Sequence, residues 1–140
     1  MNYLLDTCVI SELIKTTPEP KVIEWIDSVD EEKLLLSVIT IGELEKGILK
    51  LPSSKKKTRI QEWLQEDLLI RFHKRIIILD IDIFLQWGIL TATLEKRGTK
   101  MPAIDSLIAA TALNHDLCFV TRNEPDFQNC DINLFNPWKG

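Results

Sequence analysis

The chain has 140 residues, 45% of them hydrophobic, and a formal net charge of −4. That size suits one ordinary domain over residues 1–140, able to bury about two thirds of its unfolded surface without disulfides or a structural metal. The mild acidity argues against a protein that grips nucleic acid through a general basic excess, and no apolar run approaches the ~20 residues of a membrane span.

The opening Met1-Asn2-Tyr3-Leu4-Leu5-Asp6 has no basic leader region, and its apolar run is too short for a signal peptide. Asn2–Leu5 reads as a buried strand and Thr7–Ile14 as a short helix. Cys8, in an apolar run, opens an odd set of three cysteines with Cys118 and Cys130. The absence of CxxC or Cys/His spacing argues against zinc and for a reducing compartment. A cytoplasmic location is therefore expected.

Thr17-Pro18-Glu19 predicts a helix start, with the helix running to about Val29 and burying Val22, Ile23 and Ile26. Leu34–Ser37 reads as a second strand, followed by a helix from Ile39 to Leu51. Ser53–His73 has the period of a long amphipathic helix, with Ile60, Trp63, Leu64, Leu68 and Phe72 on one stripe. Ile76–Leu79 predicts a third strand, followed by a helix from Asp82 to Arg97, ended by Gly98. Another helix begins near Ile104 with Leu107, Ile108, Thr111 and Ala112 at helical spacing. Leu117–Val120 is a fourth strand and Ile132–Leu134 a short fifth. Strands separated by helices predict an α/β fold: a three-layer α/β/α sandwich around a mainly parallel, four- to five-stranded sheet.

In such a sheet, ligands bind beyond the carboxyl ends of the strands. Asp6 follows strand one, Glu43 lies in the first turns after strand two, and Thr121, Arg122 and Asn123 follow strand four. Asp105 opens a helix leading into strand four. About 12 residues of helix span roughly 18 Å, so the start of that helix returns to the same rim. Carboxylates gathered there repel unless a cation joins them or some are protonated. Oxygen donors without matching Cys or His favour Mg²⁺ or Mn²⁺.

Each residue also has a purely structural reading. Asp6 fits an N-cap, Thr40-x-x-Glu43 and Asn123-x-x-Asp126 fit capping boxes, and Asp105 suits the dipole of a first helical turn. Against those readings, Asp6 follows a buried strand and Asp105 adjoins an apolar stripe, where an uncompensated charge is costly.

The remaining candidates are weaker. Asp80-Ile81-Asp82 resembles a phosphotransfer DxD but follows the third strand, and Asp82 is expected to cap the next helix. His73 and His115 lack ligand partners, and Trp25, Trp63 and Trp87 fall on apolar faces. Lys55-Lys56-Lys57 with Arg59, and Arg71, His73, Lys74 and Arg75, give local positive density that reads first as a solvated face and second as a phosphate contact.

Taken together, Leu4-Leu5-Asp6-Thr7-Cys8-Val9-Ile10, Thr40-Ile41-Gly42-Glu43-Leu44, Ala103-Ile104-Asp105-Ser106-Leu107-Ile108-Ala109-Ala110-Thr111-Ala112, Val120-Thr121-Arg122-Asn123-Glu124-Pro125-Asp126-Phe127 and the tail Asn136-Pro137-Trp138 resemble the successive motifs of PIN-domain nucleases. The pattern is most similar to VapC-type toxins of type II toxin–antitoxin systems and the related FitB proteins, and it spans nearly the whole chain. The resemblance implies a single PIN domain and a Mg²⁺- or Mn²⁺-dependent endoribonuclease directed at tRNA or rRNA. It also implies a homodimer and a VapB-like antitoxin that places a basic side chain in the acidic pocket and contacts DNA on the toxin's behalf.

By this resemblance the catalytic positions are Asp6, Glu43, Asp105 and Asn123. Asp6 and Asp105 are implied as metal ligands, with Glu43 or Asp126 contributing directly or through water. Cys8 stands where the family commonly has Asn, and Asn123 where many members have a fourth Asp, which favours one firmly held ion over two.

Two rivals remain at this stage. One is a non-catalytic, FitB-like partner subunit of a DNA-binding regulatory complex, whose acidic pocket docks its antitoxin. The other is a receiver-type phosphoacceptor, which would need paired acids after strand one and a Lys after its last strand. The chain has Asp6 alone and Thr121-Arg122 in those places.

Overall fold

The structure, a computed structural model, describes residues 1–139. Five strands, β1 (Tyr3–Leu5), β2 (Leu34–Ser37), β3 (Ile76–Ile77), β4 (Cys118–Val120) and β5 (Asn133–Phe135), form one sheet in the order β3-β2-β1-β4-β5. Every pairing is parallel, so the mainly parallel expectation resolves to a wholly parallel sheet. The helices are α1 (Thr7–Glu12), α2 (Pro20–Ser28), α3 (Val38–Leu49), α4 (Lys55–Glu62), α5 (Leu69–Arg71), α6 (Ile81–Lys96) and α7 (Ala103–Asn114).

Period-2 alternation along the strands sends successive side chains to opposite faces. Leu5, Leu34, Leu36 and Val120 join one core with Val9 and Ile10 of α1, Val22 and Ile26 of α2, and Leu64, Leu68 and Phe72 of the long helical region. Leu4 and Phe119 join the other core with Leu90 and Leu94 of α6 and Ile108, Ala109 and Ala112 of α7. Helices therefore cover both faces, as a parallel sheet requires. Each fully buried Leu in these layers contributes roughly 1.5–3 kcal/mol.

Several boundaries differ from the sequence reading for local reasons. The second helix starts at Pro20 rather than Pro18. Glu19 is its cap, accepting from Lys21 N at 3.5 Å, and Ile23 is only half-buried. Asp80, not Asp82, caps α6, its Oδ1 accepting from Ile83 N at 3.0 Å; β3 then ends at Ile77 and leaves Ile78 exposed. The long amphipathic stretch is interrupted by a π-helical segment, Trp63–Leu68, between α4 and α5. Its wider turn re-phases the stripe so that Leu64, Leu68 and Phe72 all reach the core. Gly98, with φ of 77°, ends α6 in a left-handed residue where Cβ would be strained. In α7 the expected stripe is shifted: Ile108, Thr111 and Ala112 are buried, while Ile104 is exposed.

The strand order has a switch point. From β1 the chain builds outward through β2 and β3, then returns to the other side of β1 with β4 and β5. The crevice beyond the carboxyl ends of β1 and β4 is therefore where this topology opens a site.

Candidate active site

Asp6 stands at that crevice. Its backbone N–H donates to Val120 O at 2.9 Å, continuing the β1–β4 ladder. Its side chain caps α1, with Oδ1 accepting from Thr7 N at 2.8 Å. The capping reading is thus correct for one oxygen. The other, Oδ2, accepts from Thr121 Oγ1 at 2.7 Å, and the same Thr121 oxygen accepts from Asn123 N at 3.0 Å. Thr121 is fully buried, so the loop after β4 and the acid after β1 are locked to one hydroxyl.

Glu43 projects from α3 to the same rim. Its Oε1 accepts from Thr7 Oγ1 at 2.6 Å, and Thr40 Oγ1 lies 3.3 Å from that hydroxyl. The proposed Thr40–Glu43 capping box does not form, because Ser37 caps α3 by accepting from Ile39 N at 3.0 Å and Thr40 lies inside the helix. Glu43 keeps Oε2 free of protein partners among the described residues.

Asp105 lies half-buried in the first turn of α7, whose preceding residue, Pro102, makes no side-chain cap bond. Burial pushes its carboxyl above the ordinary aspartate value, and the negative charges of Asp126, Asp6 and Glu43 push it further. Acids from three distant segments thus act on Asp105 here. Asn123 and Asp126 both lie on the exposed turn after β4, and the Asn123 side chain makes no cap bond, so the second capping box is absent too.

Cys8 is half-buried beside Asp6, its thiol donating weakly to Oδ2 at 3.5 Å. Burial, with the charge of Asp6, pushes the thiol up to about 11, so it stays protonated and supplies no soft thiolate ligand. The available donors are hard carboxylate and amide oxygens. Among the described residues no three Asp, Glu, His or Cys side chains gather closely enough to enclose an ion alone. That donor set fits a Mg²⁺-like ion held through one or two carboxylates with the remainder of its shell as water, and does not fit a zinc cage.

The structure therefore brings Asp6, Glu43, Asp105, Asn123 and Asp126 to one rim. The sequence reading overlooked Thr7, whose hydroxyl holds Glu43, and assigned Thr121 no role. For Thr121 the available signal was a hydroxyl residue directly following the fourth strand; Thr7, one residue beyond Asp6, had none. In the second basic cluster Arg71 and Arg75 both bind Glu31, so those two charges are already met within the chain. His73 and His115 are exposed.

A family model described as PIN domain matches residues 3–132. The protein "Toxin FitB" of Neisseria gonorrhoeae is 37% identical over 135 residues, covering 96% of this chain and 97% of that protein. "VapC ribonuclease Y4jK" of Sinorhizobium fredii is 35% identical, covering 97% of each. In three dimensions the chain matches the structure of FitAB bound to IR36 DNA fragment, with a TM-score of 0.91, 34% identity and coverage of 97% and 95%.

Proposed function

Because the chain belongs to the PIN-domain family, we propose that it is a single-domain, divalent-metal-dependent endoribonuclease, the toxin of a VapBC-type toxin–antitoxin pair. The observation carrying this reading is the position of Asp105, half-buried and near enough to Asp126, Asp6 and Glu43 for their charges to disfavour its ionised form. A carboxylate whose ionised form is disfavoured by burial and by neighbouring anions suits a site that works with a cation.

Asp6 and Asp105 are the residues that would hold Mg²⁺ or Mn²⁺, with Asn123 and Asp126 completing the polar shell. When bound, the ion neutralises charge developing on the phosphoryl oxygens and favours ionisation of the attacking water. Thr121 keeps Asp6 Oδ2 in one orientation. Thr7 holds Glu43 by Oε1, leaving Oε2 to orient the attacking water and take its proton. The water oxygen bonds to phosphorus, the P–O3′ bond breaks, and the 3′ oxygen takes a proton from solvent. The products are a 5′-phosphate and a 3′-hydroxyl.

The partners follow from the relatives. A VapB- or FitA-like antitoxin would place a cation among the same acids and carry DNA contact, which suits a toxin of net charge −4. Self-association is supported by α6, where Ile81, Leu85 and Ile89 recur at helical spacing beside Phe84 and Ile78, all exposed, with Ile81 at 78%. Among the described residues no helix is long and apolar enough to cross a membrane.

The test is purified protein with total RNA, with Mg²⁺ or Mn²⁺ and with EDTA, followed by end mapping. Metal-dependent cutting that leaves 5′-phosphates is expected, from a species that sediments as a dimer, and Asp6→Ala should abolish it. Undiminished cutting by Asp6→Ala would remove the site assignment. No cutting under any condition would favour the non-catalytic partner subunit.

A further inference from the structure

Beside the acid rim, between α3 and the start of α7, runs a cleft of about 490 Å³. Glu43 lines it, so the cleft opens onto the candidate site. Lys46 of α3 and Lys50, the cap that ends it, line the cleft, as does Ile104 of α7, the neighbour of Asp105. Glu43, Lys46 and Lys50 fall at i, i+3 and i+7, one face of a helix. At 1.5 Å per residue the two lysines root about 4.5 and 10.5 Å along the axis from Glu43. Both are exposed, and among the described residues neither is paired with a carboxylate.

The glycines of α3 point to the same face. Gly42 and Gly47 line the cleft, and a Cβ at either would meet nothing within 4 Å. Neither has a positive φ. Packing and backbone conformation therefore give no reason for glycine, although glycine inside a helix is less favourable than alanine. What the two residues provide is a bare stretch of helix surface in the cleft.

We propose that this cleft seats the RNA strand flanking the scissile bond, with Lys46 and Lys50 taking backbone phosphates and the bare surface at Gly42 and Gly47, with Ile104, receiving a nucleoside. The inference rests on the nuclease reading and adds a strand track to it. The acids that suit a cation repel an incoming polyanion, and ammonium groups one and two turns away offset that repulsion and set the strand's direction. Flexible lysines contact phosphate as point charges and read no base, so the track is sequence-independent.

Lys46 and Lys50 also lie at the C-terminal end of α3, where cations favour the helix dipole, so the experiment must separate the two roles. Affinity for a labelled single-stranded RNA, measured in EDTA across a KCl series, does so without cleavage. Each phosphate contact contributes about 0.7 to the salt slope. The double variant Lys46→Gln/Lys50→Gln is expected to flatten the slope by about 1.4 and weaken low-salt binding on the order of tenfold. In metal its KM should rise at nearly constant kcat, and Lys46→Arg/Lys50→Arg should keep wild-type values. Gly42→Leu should raise the thermal midpoint yet weaken RNA binding, an outcome that a purely structural glycine would not produce.

A lowered midpoint with unchanged slope and KM would assign the lysines to helix stability and overturn the track. An unchanged RNA slope with weakened antitoxin binding would give the cleft to a protein segment and overturn it equally. If the wild type cuts RNA and the slope does not move, the track fails and the nuclease stands. If nothing is cut but the slope depends on the lysines, the nuclease reading fails and the RNA track stands.

Discussion

At the amino edge of the sheet, Glu31 lies between two guanidinium groups; at the carboxyl edge, Asp105 lies among three acids. Arg71 grips Glu31 with two bonds of 2.9 and 3.0 Å, and Arg75 adds one of 2.6 Å. Arg75 also donates to the carbonyls of Glu31, Leu34 and Arg71 and lies over the Phe72 ring at 4.6 Å. The Arg71 hydrogen bonds, with Arg75 adding to them, hold the Glu31 carboxyl down at about 2. Burial and the neighbouring anions hold Asp105 up. One cluster is closed, with each charge met by its opposite within the chain. The other is open: among the described residues no cationic side chain forms an ion pair with Asp105. Fold stability draws on the first, and the second is where we propose the chemistry.

The sharpest way to break that contrast is Asp105→Asn. Cleavage is expected to fall by roughly a hundredfold or more, while the thermal midpoint in EDTA stays level or rises because a repulsive charge is removed. A large loss of metal-free stability would make Asp105 a structural residue like Glu31. Next in size is the response to Mg²⁺ across pH. The folded pKa of Asp105 lies above its ordinary 3.8, so its ionised form opposes folding. That penalty is full above the raised pKa and disappears as pH falls below 3.8. An ion competing with that proton should raise the thermal midpoint most near neutrality, the gain shrinking on acidification toward that range. A gain independent of pH would separate the ion from Asp105.

The smallest expected effect is Glu31→Gln, with cleavage unchanged and stability lower by about 1 kcal/mol, a figure already discounted for solvent screening of a half-exposed carboxylate. Because its folded pKa is depressed, the contribution of Glu31 is full above the ordinary 4.5 and is lost as pH falls to about 2. Wild type and variant should therefore converge in urea unfolding at low pH. Persistence of the gap at pH 2 would mean that packing of the Arg75 stem, not charge, accounts for it.

Much of the fold was legible in the residues. β2 was read with its observed limits, and Gly98 was correctly placed as the end of α6. Errors clustered where two residues of one type stood close together. Pro18 was chosen over Pro20 and Asp82 over Asp80, because either member satisfies the local rule and only the packing of the following helix selects between them. The placement of Asp6, Glu43 and Asp105 at one rim was legible from strand ends and helix starts, since a parallel sheet brings all such points to one edge. Thr7 was missed because nothing near it in sequence marks a contact with Glu43, 36 positions away.

Near-neighbour chemistry alone determined the strands, the amphipathic helices and the strand–helix alternation that makes the sheet mainly parallel, because these follow from the periods of 2 and 3.6 residues and from which side chains water rejects. Tertiary structure alone decided which charges are answered and which are left open: Glu31 by Arg71 and Arg75, Asp6 Oδ2 by the buried Thr121 hydroxyl, and Asp105, among the described residues, by no ion pair. A polar contact is made or lost within an ångström, and that distance is set by how whole layers stack.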